Sequence, residues 1–316
     1  MNISRDWAPD YEVSDAWSSP LEIARTRCQL IFKSETVSLD NLGFRKHTEM
    51  KQPGTNDIIA LGGSTTFGYF VNNDSSWPAQ LEGLSGLGVV NLSQVKGDIW
   101  TSITCLLDKV RHSPNITARV VLTYDGVNQS SSFLAKILPH KESLFQHPNY
   151  NQLQQILTRY RSLTSSRFSY EHLAFFLFGS RFLEWQLARR YHHAMNAIFS
   201  DSDIAQAAEE EARNYLACLK ILREVSGSCL NAEVIAFLQP FLFQYWKGGG
   251  EEFRKRSLYL NSLYERILEC DSEVIDLRDV YGLNSTHFLD WAHVDSEGNR
   301  LIAEAIKNEL ISRNIF

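Results

Sequence analysis

The chain has 316 residues, of which 44% are hydrophobic, 12% aromatic and 22% charged; this is enough apolar surface for a large core and argues against a disordered chain. The formal net charge is −6 at pH 7 and no run of Lys and Arg interrupts it, which argues against a phosphate-binding surface and so against a nucleic-acid partner. At this length a single α/β domain with insertions is preferred to two domains.

Taken in chain order, Met1-Asn2-Ile3-Ser4-Arg5-Asp6 opens a polar segment with neither the basic n-region nor the apolar h-region of a secretory signal. No stretch approaches the ~18 uninterrupted apolar residues of a membrane span, so no transmembrane segment and a cytoplasmic location are expected. Residues 1–56 are read as an N-terminal extension packed on the core; within them only Asn41-Leu42-Gly43-Phe44-Arg45 has a defined look.

Five aliphatic or β-branched runs follow, at 57–61, 89–92, 119–124, 233–238 and 273–277, each bounded by turn or polar residues, as expected of buried parallel strands. Helical patterns separate them. Pro78 marks a helix start after Ser75-Ser76, residues 100–110 show helical spacing after Gly97-Asp98, and 297–311 places Leu301, Ile302, Ala305, Ile306 and Leu310 on one face, with Ser296 as the expected N-cap. The 130–230 segment is too long for a simple crossover. Its composition predicts a helical insertion at about 134–212, in which Phe175, Phe178, Phe182 and Trp185 recur at helical spacing. That stripe is either an ordinary packing face or a hydrophobic wall for a substrate.

His192-His193 has no acidic or cysteine partner at ligand spacing, so a surface or packing role is preferred to metal binding. The five cysteines (Cys28, Cys105, Cys218, Cys229, Cys270) are scattered without a Cys-x-x-Cys pair and are read as free thiols.

Alternating strands and helices imply a parallel sheet covered on both faces, with ligands beyond the C-terminal ends of the strands. Ser64 follows the first run in Leu61-Gly62-Gly63-Ser64-Thr65, Gly97 lies past the second, Asn128 follows the third, and Asp290 and His293 lie past the fifth in Asp290-Trp291-Ala292-His293. A serine hydroxyl is a weak nucleophile until a base takes its proton, and a histidine oriented by a carboxylate supplies that base near neutral pH. One helical turn or a compact loop can bring Asp290 and His293 together. An oxyanion needs donors: the Gly97 N–H, expected to be exposed, the Asn128 amide and the Ser64 N–H have the right chemistry.

Taken singly, a Gly-Gly-Ser string or an Asp-x-x-His pair is as consistent with plain turns; the order after successive strands is what gives them meaning. Rival motifs fail on spacing. Gly62-Gly63-Ser64-Thr65-Thr66 lacks the last glycine of Gly-x-Ser-x-Gly. Tyr69-Phe70 stands after Gly68 where a P-loop requires Lys and Ser or Thr, and a dinucleotide fingerprint is absent.

These blocks resemble the SGNH, or GDSL-type, hydrolases: GGST with Ser64, VKGD with Gly97, GVNQ with Asn128, and DWAH with Asp290 and His293. The resemblance covers roughly 57–129 and 233–311. It implies a flavodoxin-like three-layer α/β/α sandwich with a central parallel sheet of about five strands, an SGNH hydrolase domain over 57–316, and hydrolysis of an ester without metal or organic cofactor. GGSTTFG with an upstream GFR segment is also similar to a subset linked with acylated carbohydrates, which brings Arg45 to the border of the site as a weak substrate-binding candidate, a structural salt bridge being the other reading. GGS stands for the family's GDS, and Gln129, a second weak candidate, stands where many members carry Asp.

The expectation is therefore a serine esterase acting on a small-molecule or carbohydrate ester, with Ser64 as nucleophile, His293 as base, Asp290 as orienter, and Ser64, Gly97 and Asn128 as oxyanion hole. An O-acyltransferase with the same triad and a non-catalytic binding protein of the same fold are the alternatives, and oligomeric state is not legible.

Overall fold

The continuous apolar runs at 58–62 and 120–125 become fully buried strands. The computed structural model of the chain describes residues 38–39, 44–46, 57–95, 97–113, 116–130, 200–245 and 251–315. A short antiparallel pair, β1 (Ser38–Leu39) and β2 (Arg45–Lys46), precedes the main sheet. That sheet comprises β3 (Ile58–Gly62), β4 (Val89–Asn91), β5 (Val120–Asp125), β6 (Glu233–Leu238) and β7 (Ile275–Asp276), every neighbour parallel. Ile58 pairs with both Val89 and Val120, and Val120 with Glu233. All residues of β3 and β5 are buried, as strands covered on two faces must be.

The strand order is β4-β3-β5-β6-β7. Numbering the five strands by sequence gives 2-1-3-4-5, the flavodoxin order, in which the chain leaves the first strand to one side and returns to place the third on the other. The order therefore reverses between β3 and β5, the switch point beyond whose C-terminal ends sheets of this kind place their ligands.

Pleating sends Ile58, Ala60, Val120, Leu122, Tyr124, Ile235 and Phe237 to one face, where they pack with Trp77 and Leu81 of α2 (Trp77–Ser85) and with Ile302, Ile306 and Leu310 of α7 (Ser296–Ser312). Helix α3 (Ile99–His112) contacts β3 and β5, yet none of its residues joins that cluster, so it covers the opposite face and the architecture is three-layered. A one-turn helix α1 (Ser64–Phe67) follows β3. After β5 come a 3₁₀ turn (Val127–Ser130) and α4 (Asp201–Leu230); α5 (Leu242–Tyr245) and α6 (Glu251–Cys270) separate β6 from β7.

Two local expectations change. The N-cap of α7 is Asp295, whose carboxylate accepts from the Gly298 N–H at 2.7 Å, one residue ahead of Ser296. The fifth strand is shorter than 273–277 because the Asp271 side chain accepts from the Glu273 N–H and its carbonyl from the Val274 N–H, turning that stretch out of the ladder.

The chain divides into two compact units: residues 1–129, 210–247 and 263–316, and residues 130–209 with 248–262. The first holds the sheet and every candidate site residue. Within the second, Arg254 forks onto the Asp201 carboxylate at 2.7 and 2.9 Å. The expected insertion falls outside the described residues except for its end, where 201–212 begin the 30-residue helix α4. Phe175, Phe178, Phe182, Trp185, His192, His193, Cys28 and most of 1–56 also lie outside them. The four described cysteines are free thiols. No helix among the described residues is long and apolar enough to cross a membrane.

Candidate active site

The Ser64 turn is built by two glycines and pinned by buried polar groups. Gly62 sits at φ +145°, and a Cβ there would overlap the Thr66 hydroxyl and approach the Tyr124 carbonyl to 2.6 Å. Gly63 has an ordinary φ, but its missing side chain is the space that the Asn128 amide fills. Ser64 is thus the first residue of α1, with an N–H that has no acceptor inside the helix. Its carbonyl accepts from the N–H groups of Gly68 and Tyr69 at 3.1 and 2.9 Å. Thr66 locks the turn to the sheet through its hydroxyl, which donates to the Tyr124 carbonyl at 3.4 Å, and its carbonyl, which accepts from Asn91 Nδ2 at 2.9 Å.

The partners arrive on a compact loop after β7, not on a helical turn. An isolated antiparallel bridge between Phe288 and Val294 closes it, and the Leu289 N–H donates to the His293 carbonyl at 2.8 Å. Inside, Asp290 Oδ1 accepts from the N–H groups of Ala292 and His293, each at 2.8 Å, while Oδ2 lies 2.8 Å from His293 Nδ1. His293 Nε2 lies 2.8 Å from Ser64 Oγ across a separation of 229 residues. A carboxylate can only accept, so Nδ1 carries the proton in the neutral imidazole and Nε2 faces the serine as acceptor. Burial pushes the Asp290 carboxyl up, but the His293 hydrogen bond, the His293 charge and the two backbone N–H groups outweigh it, and the net shift is downward.

The loops after β3, β4 and β5 are knitted together. The Gln94 N–H donates to the Gly62 carbonyl at 3.0 Å, and Asn128 Nδ2 donates to the Gly97 carbonyl at 2.6 Å. The Gly97 N–H, expected to face an oxyanion, instead closes a turn onto the Gln94 carbonyl at 2.9 Å. Gly97 therefore enters the site through its carbonyl, as the acceptor that orients Asn128.

Arg45 is buried and spends its guanidinium on the turn after Ser64: Nη1 donates to the carbonyls of Phe67 and Gly68 at 2.7 and 2.6 Å, and Nη2 to that of Val71 at 2.6 Å. The backbone of Gln129 lies in the 3₁₀ turn; its side chain is outside the described residues.

Sequence reading gave no role to several neighbours. Thr65 Oγ1 donates to Gln239 Oε1 at 3.1 Å, and buried Tyr264 donates to the Gln239 carbonyl at 3.0 Å. Gln239 follows directly on β6, and that position at the strand's C-terminal end was the one available signal. Tyr69 and Phe70 pack their rings against the His293 imidazole, and Trp291 stacks on Phe243 with centroids 6.1 Å apart. Among the described residues no three His, Cys, Asp or Glu side chains converge as a metal-binding group.

Ser64, His293 and Asp290 thus form one hydrogen-bonded line beyond the C-terminal ends of a parallel sheet of flavodoxin order. No protein-family model matches the chain, and no curated protein matches it. Among solved structures it is similar to the lipase Lip_vut3 from a goat rumen metagenome, at 13% identity over 80% of this chain and 97% of the other, with a TM-score of 0.43. It is also similar to a member of the lipolytic protein G-D-S-L family from Veillonella parvula DSM 2008, at 12% identity over 80% and 96% of the two chains, with a TM-score of 0.41. A third is the salicylyl-acyltransferase SsfX3 from a tetracycline biosynthetic pathway, at 9% identity over 84% of this chain and 57% of the other, with a TM-score of 0.40. The chemistry of this chain rests on its own side chains.

Proposed function

We propose that the protein is a serine hydrolase that cleaves an ester through an acyl-enzyme on Ser64. The observation that carries this reading is the unbroken line from Asp290 Oδ2 to His293 Nδ1 and from His293 Nε2 to Ser64 Oγ, with both contacts at 2.8 Å. Ser64 Oγ attacks the acyl carbon as Nε2 takes its proton, and Asp290 stabilises the resulting imidazolium. The Ser64 N–H and the Asn128 amide hold the oxyanion, with Asn128 oriented by the Gly97 carbonyl. The alkoxide leaves with the proton held on Nε2. Water then attacks the acyl carbon, giving up a proton to the same nitrogen, and Ser64 is released with its own proton restored.

The resemblance of GGSTTFG to carbohydrate-linked relatives makes an acyl or acetyl ester on a carbohydrate the first substrate class to test. The same acyl-enzyme would serve transfer to a second alcohol, and product analysis with an added sugar acceptor separates the two outcomes. The direct test of the site is a serine-directed fluorophosphonate. The peptide containing Ser64 is expected to gain the probe mass in the wild type and not in His293→Ala. A folded wild type that takes up no label, or labels elsewhere, contradicts the reading.

A further inference from the structure

Two aromatic rings that the acyl-enzyme chemistry does not use lie against its base. The Tyr69 centroid is 5.5 Å from that of the His293 imidazole; Phe70 stands edge-on to it at 5.3 Å and 89°, and the two rings pack on each other at 4.5 Å. Phe70 is a large apolar side chain, 38% exposed, beside a base that is 15% exposed. Its backbone sits at φ +76°, a region that side-chain-bearing residues avoid. Such a conformation persists only where the surroundings impose it, and here they do. Arg45 grips the carbonyls of Phe67 and Gly68 before Phe70 and of Val71 after it, and the Tyr69 N–H is fixed on the Ser64 carbonyl. The ring is held in place by the same turn that presents the nucleophile.

We propose that Phe70 is a specificity residue for the leaving alcohol, selecting alcohols that present a flat apolar face, whether an aryl-alkanol or the C–H face of a sugar ring. The inference rests on the acyl-enzyme reading above. His293 Nε2 must pass its proton to the departing oxygen, so that oxygen comes within hydrogen-bond reach of Nε2. The carbons it carries then lie beside whatever flanks the imidazole, and among the described residues Phe70 is the exposed ring there. Aromatic faces receive both aryl groups and apolar sugar faces, burying area without a hydrogen-bond requirement.

The test compares kcat/KM for 2-phenylethyl acetate and methyl 6-O-acetyl-glucopyranoside with that for ethyl acetate, so that the acyl group is constant and all three leaving groups are alkanols. The wild type is expected to favour at least one of the two larger esters by about tenfold, the usual scale of one apolar contact; which one is favoured identifies the source of the flat face. Glycine suits φ +76°, so Phe70→Gly is expected to fold, to abolish that preference and to leave the ratio of ethyl butyrate to ethyl acetate unchanged. Phe70→Tyr is expected to keep the preference. No preference in the wild type, a preference that survives Phe70→Gly, or a change confined to the butyrate ratio overturns the inference while the serine mechanism stands. A wild type inert toward all four esters overturns the acyl-enzyme reading and this inference with it.

Discussion

Asn128 occupies the space that a side chain at Gly63 would need. A Cβ on Gly63 would overlap Asn128 Nδ2 and lie 2.8 Å from the Gly97 carbonyl, the group to which that nitrogen donates. A side chain at position 63, such as the aspartate in the GDS form of the motif, would therefore require this amide to move.

Gly63→Ala and Asn128→Ala should consequently fail in the same way. Each is expected to lower kcat by about 100-fold, the scale of losing one oxyanion donor. Because the alanine at 63 acts by displacing Asn128, the double variant is expected to be little worse than either single one. A thermodynamic cycle on kcat checks this, and additive losses would separate the two residues.

Stability should depend on pH with opposite signs from two aspartates. Burial pushes Asp125 from 3.8 to about 7, against the hydrogen bond from Thr123 that lowers it and with a further rise from Asp98. The folded state then keeps a proton that the unfolded chain releases, so stability falls as pH rises from about 4 to 7, by roughly 1.4 kcal/mol per unit, and is level above that. Asp290 is shifted down, so the stability it contributes is present above the unfolded value and lost as pH drops through the lower folded one. Urea unfolding at pH 5 and pH 8 should show Asp125→Asn gaining on the wild type at the higher pH; an identical difference at both would contradict it.

Arg45 should matter to stability through its fork. Removing it in Arg45→Ala leaves the buried carbonyls of Phe67 and Val71 without this donor, while that of Gly68 keeps the Val71 N–H at 3.2 Å, and is expected to cost about 2 kcal/mol or more. Arg45→Lys, a point charge without the planar fork, should recover only part of that. Denaturant midpoints measure both.

Asp290→Asn is expected to lower kcat by about 10,000-fold with little loss of fold. The new amide keeps an oxygen for the Ala292 and His293 N–H groups but turns its NH₂ toward Nδ1. Nδ1 must then accept, the ring proton moves to Nε2, and Nε2 can no longer take the Ser64 proton. A kcat within tenfold of wild type would remove Asp290 from the orienting role.

How much of this was legible depends on the range of each interaction. The central strands show in the sequence because a strand buried on both faces is a continuous apolar run, as in Ile58–Gly62 and Val120–Asp125. Ser64, Asp290 and His293 show because each sits in a short motif of informative residue types at a strand end. Arg45 is different: its partners are carbonyls 22 to 26 residues away, and a carbonyl leaves no mark on residue type. The commitment of the Gly97 N–H to Gln94 depends on a turn geometry that Gln-Val-Lys-Gly does not announce. Tyr69-Phe70 serves in the sequence only to exclude a P-loop, and nothing local tells that those rings meet an imidazole more than 220 residues further on.

The central claim is that Ser64 is the nucleophile of an acyl-transfer site, and p-nitrophenyl acetate turnover tests it most directly. The purified wild type and Ser64→Ala are assayed side by side, with circular dichroism showing both folded. The account predicts steady turnover in the wild type and its loss in the variant. Turnover that persists in folded Ser64→Ala would contradict it.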